Sequence, residues 1–316
     1  MNKVLVVGSL NMDFAVYMDR RPKAGETVMA QSMKLVPGGK GANQAYALGK
    51  LGADTSMIGA IGMDDFGEQM LANLENVGVV TDGIKKIAGT ETGKAFIEIE
   101  KSGQNSISVI AGANFAVDEA LVQEQEDKFA KADAVVMQLE IPIPSVVAAA
   151  KLAKKHGKTV VLDPAPARND LPDELWAQVD ITKPNETELA LLTGLPTGTE
   201  EEVVTAAKSL IAKGVKNVLV TLGGDGIIHV SADKVENFPA YKVKAIDTTA
   251  AGDCFLAAFM SQFDGRNYAE AIDFGAKAAA IAVTRQGAQT SIPTVEDIES
   301  FNYSNFAHPK QAFYQA

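Results

Sequence analysis

Asp247-Thr248-Thr249-Ala250-Ala251-Gly252-Asp253 joins two segments of opposite character. Before it, Tyr241-Lys242-Val243-Lys244-Ala245 alternates and predicts a strand; after it, Cys254-Phe255-Leu256-Ala257-Ala258-Phe259 predicts a buried helix. A junction of two alanines and a glycine lets main-chain N–H groups approach an anion, and the helix start adds partial positive charge. Asp253 falls on the first turn, beside any anion held there. Aspartate at such a place commonly caps the helix. Next to an anion it needs a task of its own, and taking a proton from an attacking hydroxyl during phosphoryl transfer is one.

Working outward, strand and helix patterns alternate. Strands are predicted at 3–7, 55–59, 134–139, 159–162, 181–182 and 217–221. Helices are predicted at 43–51, 66–77, 118–131, 145–156, 186–192, 200–213, 253–263, 269–285 and 294–301. The strands are near-continuous runs of Val, Leu and Ile, as expected when helices cover both faces of a parallel sheet. Segments 14–18 with 28–36, and 94–100 with 106–110, lack intervening helices and predict a small separate sheet, the second pair turning through Glu100-Lys101-Ser102-Gly103-Gln104. Such an appendage serves as a lid, an oligomer interface or a decorated edge. The tail 304–316 has little pattern.

The 316 residues carry a net charge of −11 and 47% hydrophobic residues, with a sequence pI near 4.9. That charge argues against nucleic acid or an anionic membrane as partner. No apolar run reaches spanning length, and Met1–Gly8 reads as a strand rather than a leader. Cys254 is the one cysteine, so no internal disulfide forms; this fits a reducing cytoplasm, with Cys254 as a small core residue. His156, His229 and His308 lack metal-ligand spacing and read as surface residues.

Two familiar nucleotide patterns fail. Gly89 to Lys94 is too short for the phosphate-binding loop G-x-x-x-x-G-K-[ST], and Gly39-Lys40-Gly41-Ala42-Asn43-Gln44 lacks the last glycine of the dinucleotide fingerprint, which weighs against a dehydrogenase. Pro37-Gly38-Gly39-Lys40-Gly41-Ala42-Asn43-Gln44 instead exposes N–H groups at a helix start, with Lys40 and Asn43 adding a charge and an amide for a polyol or phosphate. Asn11 and Asp13, two apart after the first strand, face one way if extended, where Asp13 suits sugar hydroxyls or an Asx turn. Glu140 in Gln138-Leu139-Glu140 offers a similar acceptor at another strand end. Asn185 and Glu188 have capping-box spacing, and Thr221-Leu222-Gly223-Gly224-Asp225-Gly226 reads as a hairpin turn.

The segments D-T-T-A-A-G-D and G-G-K-G-A-N-Q-A, with G-S-L-N-M-D, A-G-A-N (111–114), Q-L-E, P-A-P-A-R, P-N-E-T-E and A-V-T-R-Q-G-A-Q (282–289), resemble the ribokinase-like (PfkB-type) carbohydrate kinases, in that family's order from Gly8 to Ser291. The resemblance implies an α/β fold over residues 1–316: a doubly wound, mostly parallel sheet flanked by helices, with lid segments at about 12–36 and 92–111. It implies ATP-dependent phosphorylation of a sugar's primary hydroxyl, D-ribose by the closest motif match. Siblings acting on deoxyribose, fructose or a nucleoside, or a weakly catalytic sugar-binding regulator, are the alternatives. Asp253 is then the general base, and Ala250, Ala251 and Gly252 are the anion hole. Asn11, Asp13, Gly39, Lys40, Asn43 and Glu140, with Asp253, are expected to hold the sugar. Asn185, Glu188, Thr221, Gly223, Asp225, Gly226 and Gly252 are expected to line the ATP side, with Mg2+ organised near N-x-x-E. Asp247, Thr249, Ala282, Arg285, Gly287 and Ser291 are expected to surround a monovalent cation, K+. The family also implies a cytoplasmic homodimer paired through the lid. Leu256 departs from the family's usual asparagine, and Ala276, the expected neighbour of adenine, is apolar.

Overall fold

The computed structural model describes residues 3–102 and 104–301. Along the chain, β1 (Lys3–Val7), β2 (Asn11–Met18) and β3 (Ser32–Gly38) lead into α1 (Lys40–Lys50). β4 (Asp54–Gly62), α2 (Asp65–Glu75), β5 (Val80–Ile87), β6 (Gly93–Glu100) and β7 (Asn105–Ile110) follow, then α3 (Glu119–Glu124), α4 (Glu126–Lys131), β8 (Ala134–Met137), α5 (Ile143–Lys155) and β9 (Thr159–Leu162). The rest runs α6 (Asp173–Trp176), β10 (Ile181–Thr182), α7 (Glu186–Thr193), α8 (Glu200–Ala212), β11 (Asn217–Thr221), β12 (Ile227–Ser231), β13 (Val235–Phe238), α9 (Ala251–Gln262), α10 (Tyr268–Ala282) and α11 (Val295–Ser300).

The central sheet has the order β13-β12-β11-β10-β9-β8-β1-β4-β5. It is parallel from β5 to β11, with β12 and β13 added antiparallel. β1 shows why both faces are covered. Val4 and Val6 join the apolar layer under α1, α9 and α10, while Leu5 and Val7 join the layer under α3 to α8. From β1 the chain adds strands on one side (β4, β5) and then on the other (β8 to β11). The crevice between β1 and β8, at the strands' carboxyl ends, is therefore the switch point where open α/β sheets bind ligands. A second sheet, β3-β2-β6-β7, stands apart from the first; its β2–β6 pair is parallel and its outer pairs are antiparallel.

Several expectations are corrected. Residues 241–245 form no strand. Tyr241 is buried and donates its hydroxyl to Asp273 of α10 (2.6 Å), while Lys242 and Lys244 face solvent, so the alternation marks a half-buried connector with no ladder beside it. The helix expected at 118–131 is two, broken at Gln125, which caps the end of α3 and the start of α4. β5 and β13, at the sheet's edges, are too polar to show the buried-strand pattern, and the apolar run of β12 is interrupted by His229. His229 is buried rather than superficial: its ring stacks on Tyr268, and Nε2 lies 2.9 Å from the side-chain oxygen of Asn217. His308 and residues 304–316 lie outside the described residues.

Candidate active site

The carboxyl ends of β1, β8, β9 and β10 deliver the polar side chains, and the starts of α1 and α9 close over them. Gly39 caps α1 at φ 86°, and a Cβ there would stand 2.7 Å from the Asn11 nitrogen, so glycine alone allows the turn. Gly38 gives way to Asp13, whose Oδ2 lies 2.1 Å from where a Gly38 Cβ would be. Glu140 Oε2 accepts from the Ser9 hydroxyl (2.5 Å) and the Lys40 N–H (3.0 Å), tying the exit of β8 to α1. Asn114 donates to Asn11 Oδ1 (2.8 Å) and accepts from the Leu10 N–H (2.8 Å), fixing the exit of β1.

Asp13 is buried, and its Oδ1 has no hydrogen-bond partner among the described residues. Burial first, then the charges of Glu140 and Asp253, push its pKa up to about 7. An acceptor oriented this way, in a pocket of amides and charges, suits a hydroxyl donor. Lys40 resists the cost of burial because Asp253, Asp163, Glu140 and Glu188 surround it; the balance holds its pKa above the usual lysine range.

Asp253 is 5% exposed. Gln44 donates to its Oδ1 (2.8 Å) and Asn43 to its Oδ2 (3.1 Å), so adjacent residues of α1 fix both oxygens of the α9 carboxylate. Gln44 Nε2 also donates to Asp163 Oδ2 (2.8 Å), and Gln138 donates to Gln44 Oε1 (2.6 Å). Gln289 in turn donates to Asn43 Oδ1 (3.0 Å). Burial pushes the Asp253 pKa up and Asp163 adds to this, while Lys40, Lys183 and the Gln44 bond oppose it. A desolvated carboxylate held at both oxygens is a stronger base than an exposed one.

The cradle at the start of α9 is strained in a telling way. Ala250 has φ 56°, the left-handed region, and is the one non-glycine residue with positive φ among those described. Such strain clusters at functional sites. The Ala251 N–H bonds to Thr248 O (3.2 Å), whereas those of Gly252 and Asp253 have no acceptor among the described residues. The Ala250 N–H likewise has no acceptor among the described residues, so the open donors of this turn are those of Ala250, Gly252 and Asp253.

On the other flank, Asn185 and Glu188 form the capping box of α7, each side chain 2.8 Å from the other's backbone nitrogen. Asn185 also bridges to Thr221, placing N-x-x-E beside the β11–β12 turn, where Gly223 and Gly226 take positive φ. The Asp225 side chain is exposed. Asp247 accepts from Thr249 N and Oγ1 (2.9 and 2.6 Å) and from Gly287 N (2.9 Å), joining the 247–253 segment to the loop after α10. The Arg285 side chain pairs with Asp297 (3.1 Å), its backbone N–H takes the Ala282 carbonyl (3.0 Å), and buried Ser291 bonds to Ala288 O (2.7 Å). Leu256 is fully buried in the apolar layer, so the departure from asparagine alters packing. Ala276 lies partly buried on that same layer.

Among the described residues no three His, Cys, Asp or Glu side chains cluster to hold a metal ion. The donor set still fits a magnesium ion carried chiefly by phosphates and water, with Glu188 as the protein carboxylate. It also fits a monovalent cation among oxygen donors near Asp247. Residues missed by motif reading are Gln44, Gln138, Asn114, Asp163 and Lys183. Gln44 had a signal, being four residues after Lys40 and so on the same helix face.

The model of the pfkB family carbohydrate kinases matches residues 1–295. A Staphylococcus aureus (strain COL) ribokinase is 43% identical over 300 residues, covering 94% of this chain and 98% of that one. A Salmonella typhi deoxyribokinase is 36% identical over 299 residues, with the same coverages of 94% and 98%. The solved structure of Arabidopsis thaliana ribokinase complexed with ribose and ATP superposes with a TM-score of 0.88 at 36% identity, covering 94% of this chain and 97% of that one. With a family model over nearly its whole length, and relatives of this identity end to end, the chain belongs to the pfkB family of carbohydrate kinases.

Proposed function

We propose that the chain is an ATP-dependent kinase that transfers the γ-phosphoryl group to the primary 5-hydroxyl of D-ribose, giving ribose 5-phosphate and ADP. The observation that carries this reading is the placement of Asp253: its carboxylate is gripped by Asn43 and Gln44 on the polyol side, while its backbone belongs to the open amide cradle of α9. The proton of the attacking hydroxyl passes to Asp253 as the sugar oxygen forms its bond to the γ-phosphorus. The bond to the β,γ-bridging oxygen breaks, and ADP leaves with that electron pair. Main-chain N–H groups of the cradle face the charge that develops on the transferring group. When bound, magnesium supplies charge neutralisation on the phosphates, with Glu188 and Asn185 on its side of the site. A monovalent cation beside Asp247, Thr249 and the loop carrying Gly287 would brace the cradle. Asp13, Asn11, Gly39, Lys40 and Glu140 hold the sugar, and Thr221, Gly223, Asp225 and Gly226 line the nucleotide.

The whole chain forms one kinase unit, and the β3-β2-β6-β7 sheet acts as its lid. It carries Asp13 inward, with Ile107 and Val109 exposed on that same face at the β7 edge, and exposes Met33, Leu35 and Phe96 on the opposite face, a surface suited to pairing with a second lid. Among the described residues no helix is long and apolar enough to cross a membrane. We place the enzyme in the cytoplasm, where ATP is available.

The test is coupled ADP release with magnesium and potassium across ribose, 2-deoxyribose, fructose and nucleosides. Ribose should give the highest kcat/KM. Ribose binding without ADP release would instead identify a regulator, and a preference for deoxyribose would identify a sibling specificity.

A further inference from the structure

Lys183 follows β10 directly and is 5% exposed. Its Nζ lies 3.3 Å from Asp163 Oδ1, but the contact lacks hydrogen-bond geometry: that oxygen has no hydrogen-bond partner among the described residues, and the ammonium donates to none of them. An ammonium carries three N–H donors, and a buried charge left short of hydrogen bonds is costly. Its other neighbour is the start of α9, since a Cβ on Gly252 would stand 2.8 Å from Nζ.

That neighbour makes the lysine's position informative. The N-terminal end of a helix carries partial positive charge and repels a cation. Here a buried ammonium is set against the same turn whose Gly252 and Asp253 N–H groups lack acceptors. Asp163 neutralises the ammonium but takes no hydrogen bond from it: Oδ2 is bound by Gln44, and Oδ1, at 3.3 Å, has no hydrogen-bond partner among the described residues. Side-chain and main-chain donors thus converge on one spot beside the Asp253 carboxylate.

We propose that Lys183 is a catalytic residue that donates hydrogen bonds to oxygens of the transferring phosphoryl group at the α9 cradle. This rests on the phosphoryl-transfer reading above. The lysine stays protonated throughout; it gains charge-assisted hydrogen bonds as the β,γ-bridging bond breaks, and no proton leaves it. The competing role is purely structural, in which Lys183 only neutralises Asp163.

Single-turnover transfer from ATP to ribose separates the two roles, measured on Lys183→Met, Lys183→Arg and the double variant Lys183→Met/Asp163→Asn, with ribose affinity by calorimetry on each. The proposal expects Lys183→Met to slow transfer by about a hundredfold with ribose affinity retained. Lys183→Arg should recover part of the rate, and the double variant should stay as slow as Lys183→Met. A near-normal rate in Lys183→Met, a wild-type rate in the double variant, or loss of ribose binding in Lys183→Met would each overturn it. Transfer to ribose by the wild-type enzyme is the reference: its absence would strike the phosphoryl-transfer reading itself, and this proposal with it, whereas active wild type with unaffected Lys183 variants removes Lys183 alone.

Discussion

Asp13 holds a carboxyl in a place where ionisation is expensive. Its pKa near 7, against an ordinary 3.8, arises from burial and from two acidic neighbours. The sign follows from linkage: the folded state binds this proton more tightly than the unfolded chain. Asp13 therefore contributes stability that is fully present below pH 3.8 and is lost as pH rises through about 7. Asp253, also shifted upward by burial, acts in the same direction. Thermal melts of the ligand-free protein should show Asp13→Asn flattening the fall in Tm between pH 4 and 8. An unchanged slope would mean that Asp13 is not held in this way. The raised Asp253 pKa also predicts that the acid limb of kcat/KM lies above the ordinary carboxylate range. A limb near pH 4 would show that Asp253 ionises as an exposed acid does.

Among the elements, the start of α9 decides the chemistry and α1 positions it. Ala250 in left-handed conformation is a cost the cradle bears. Ala250→Gly should relieve it and raise stability by about 0.5–1 kcal/mol, after allowing for the glycine's freedom in the unfolded chain. The looser cradle should at the same time lower kcat; chemical denaturation and steady-state rates check the pair, and a variant less stable than wild type would contradict the strain argument. Gly39→Ala should do the reverse, because the new Cβ meets the backbone of Asn11 at a positive φ. We expect a loss of about 1–3 kcal/mol together with weakened ribose binding. These elements were legible because their motifs carry backbone requirements. D-T-T-A-A-G-D and G-G-K-G-A-N-Q both fall at helix starts, and Asn185 with Glu188 forms the capping box its spacing implied. The strand expected at 241–245 failed because alternation reports which side is buried, and a connector lying on α10 alternates as well as a strand does.

At the scale of the whole molecule, the parallel sheet could be read because buried parallel strands are unbroken apolar runs, and β1, β9, β10 and β11 fall where those runs lie. The edge strands β5 and β13 could not, since solvent on one side removes that signal. Gln44, Gln138 and Asn114 sit inside quoted motifs yet were given no role, because their bonds run to other segments, and Lys183 and Asp163 lie just outside the motifs that follow them. A single lysine or aspartate at a strand end acquires meaning only when the sheet order brings β9 and β10 beside α9. The small sheet extends the account beyond one chain. If its exposed apolar residues pair two copies, Met33→Glu with Leu35→Glu, neighbours on the face opposite Asp13, should convert a dimer to a monomer in sedimentation experiments; a wild-type monomer would contradict the proposed pairing.

The central claim is that Asp253 takes the proton from the sugar's hydroxyl, and Asp253→Asn tests it most directly. With ATP, magnesium and potassium, the variant should bind ribose about as well as wild type in calorimetry and release ADP at least about a hundredfold more slowly. ADP release near the wild-type rate would contradict the account.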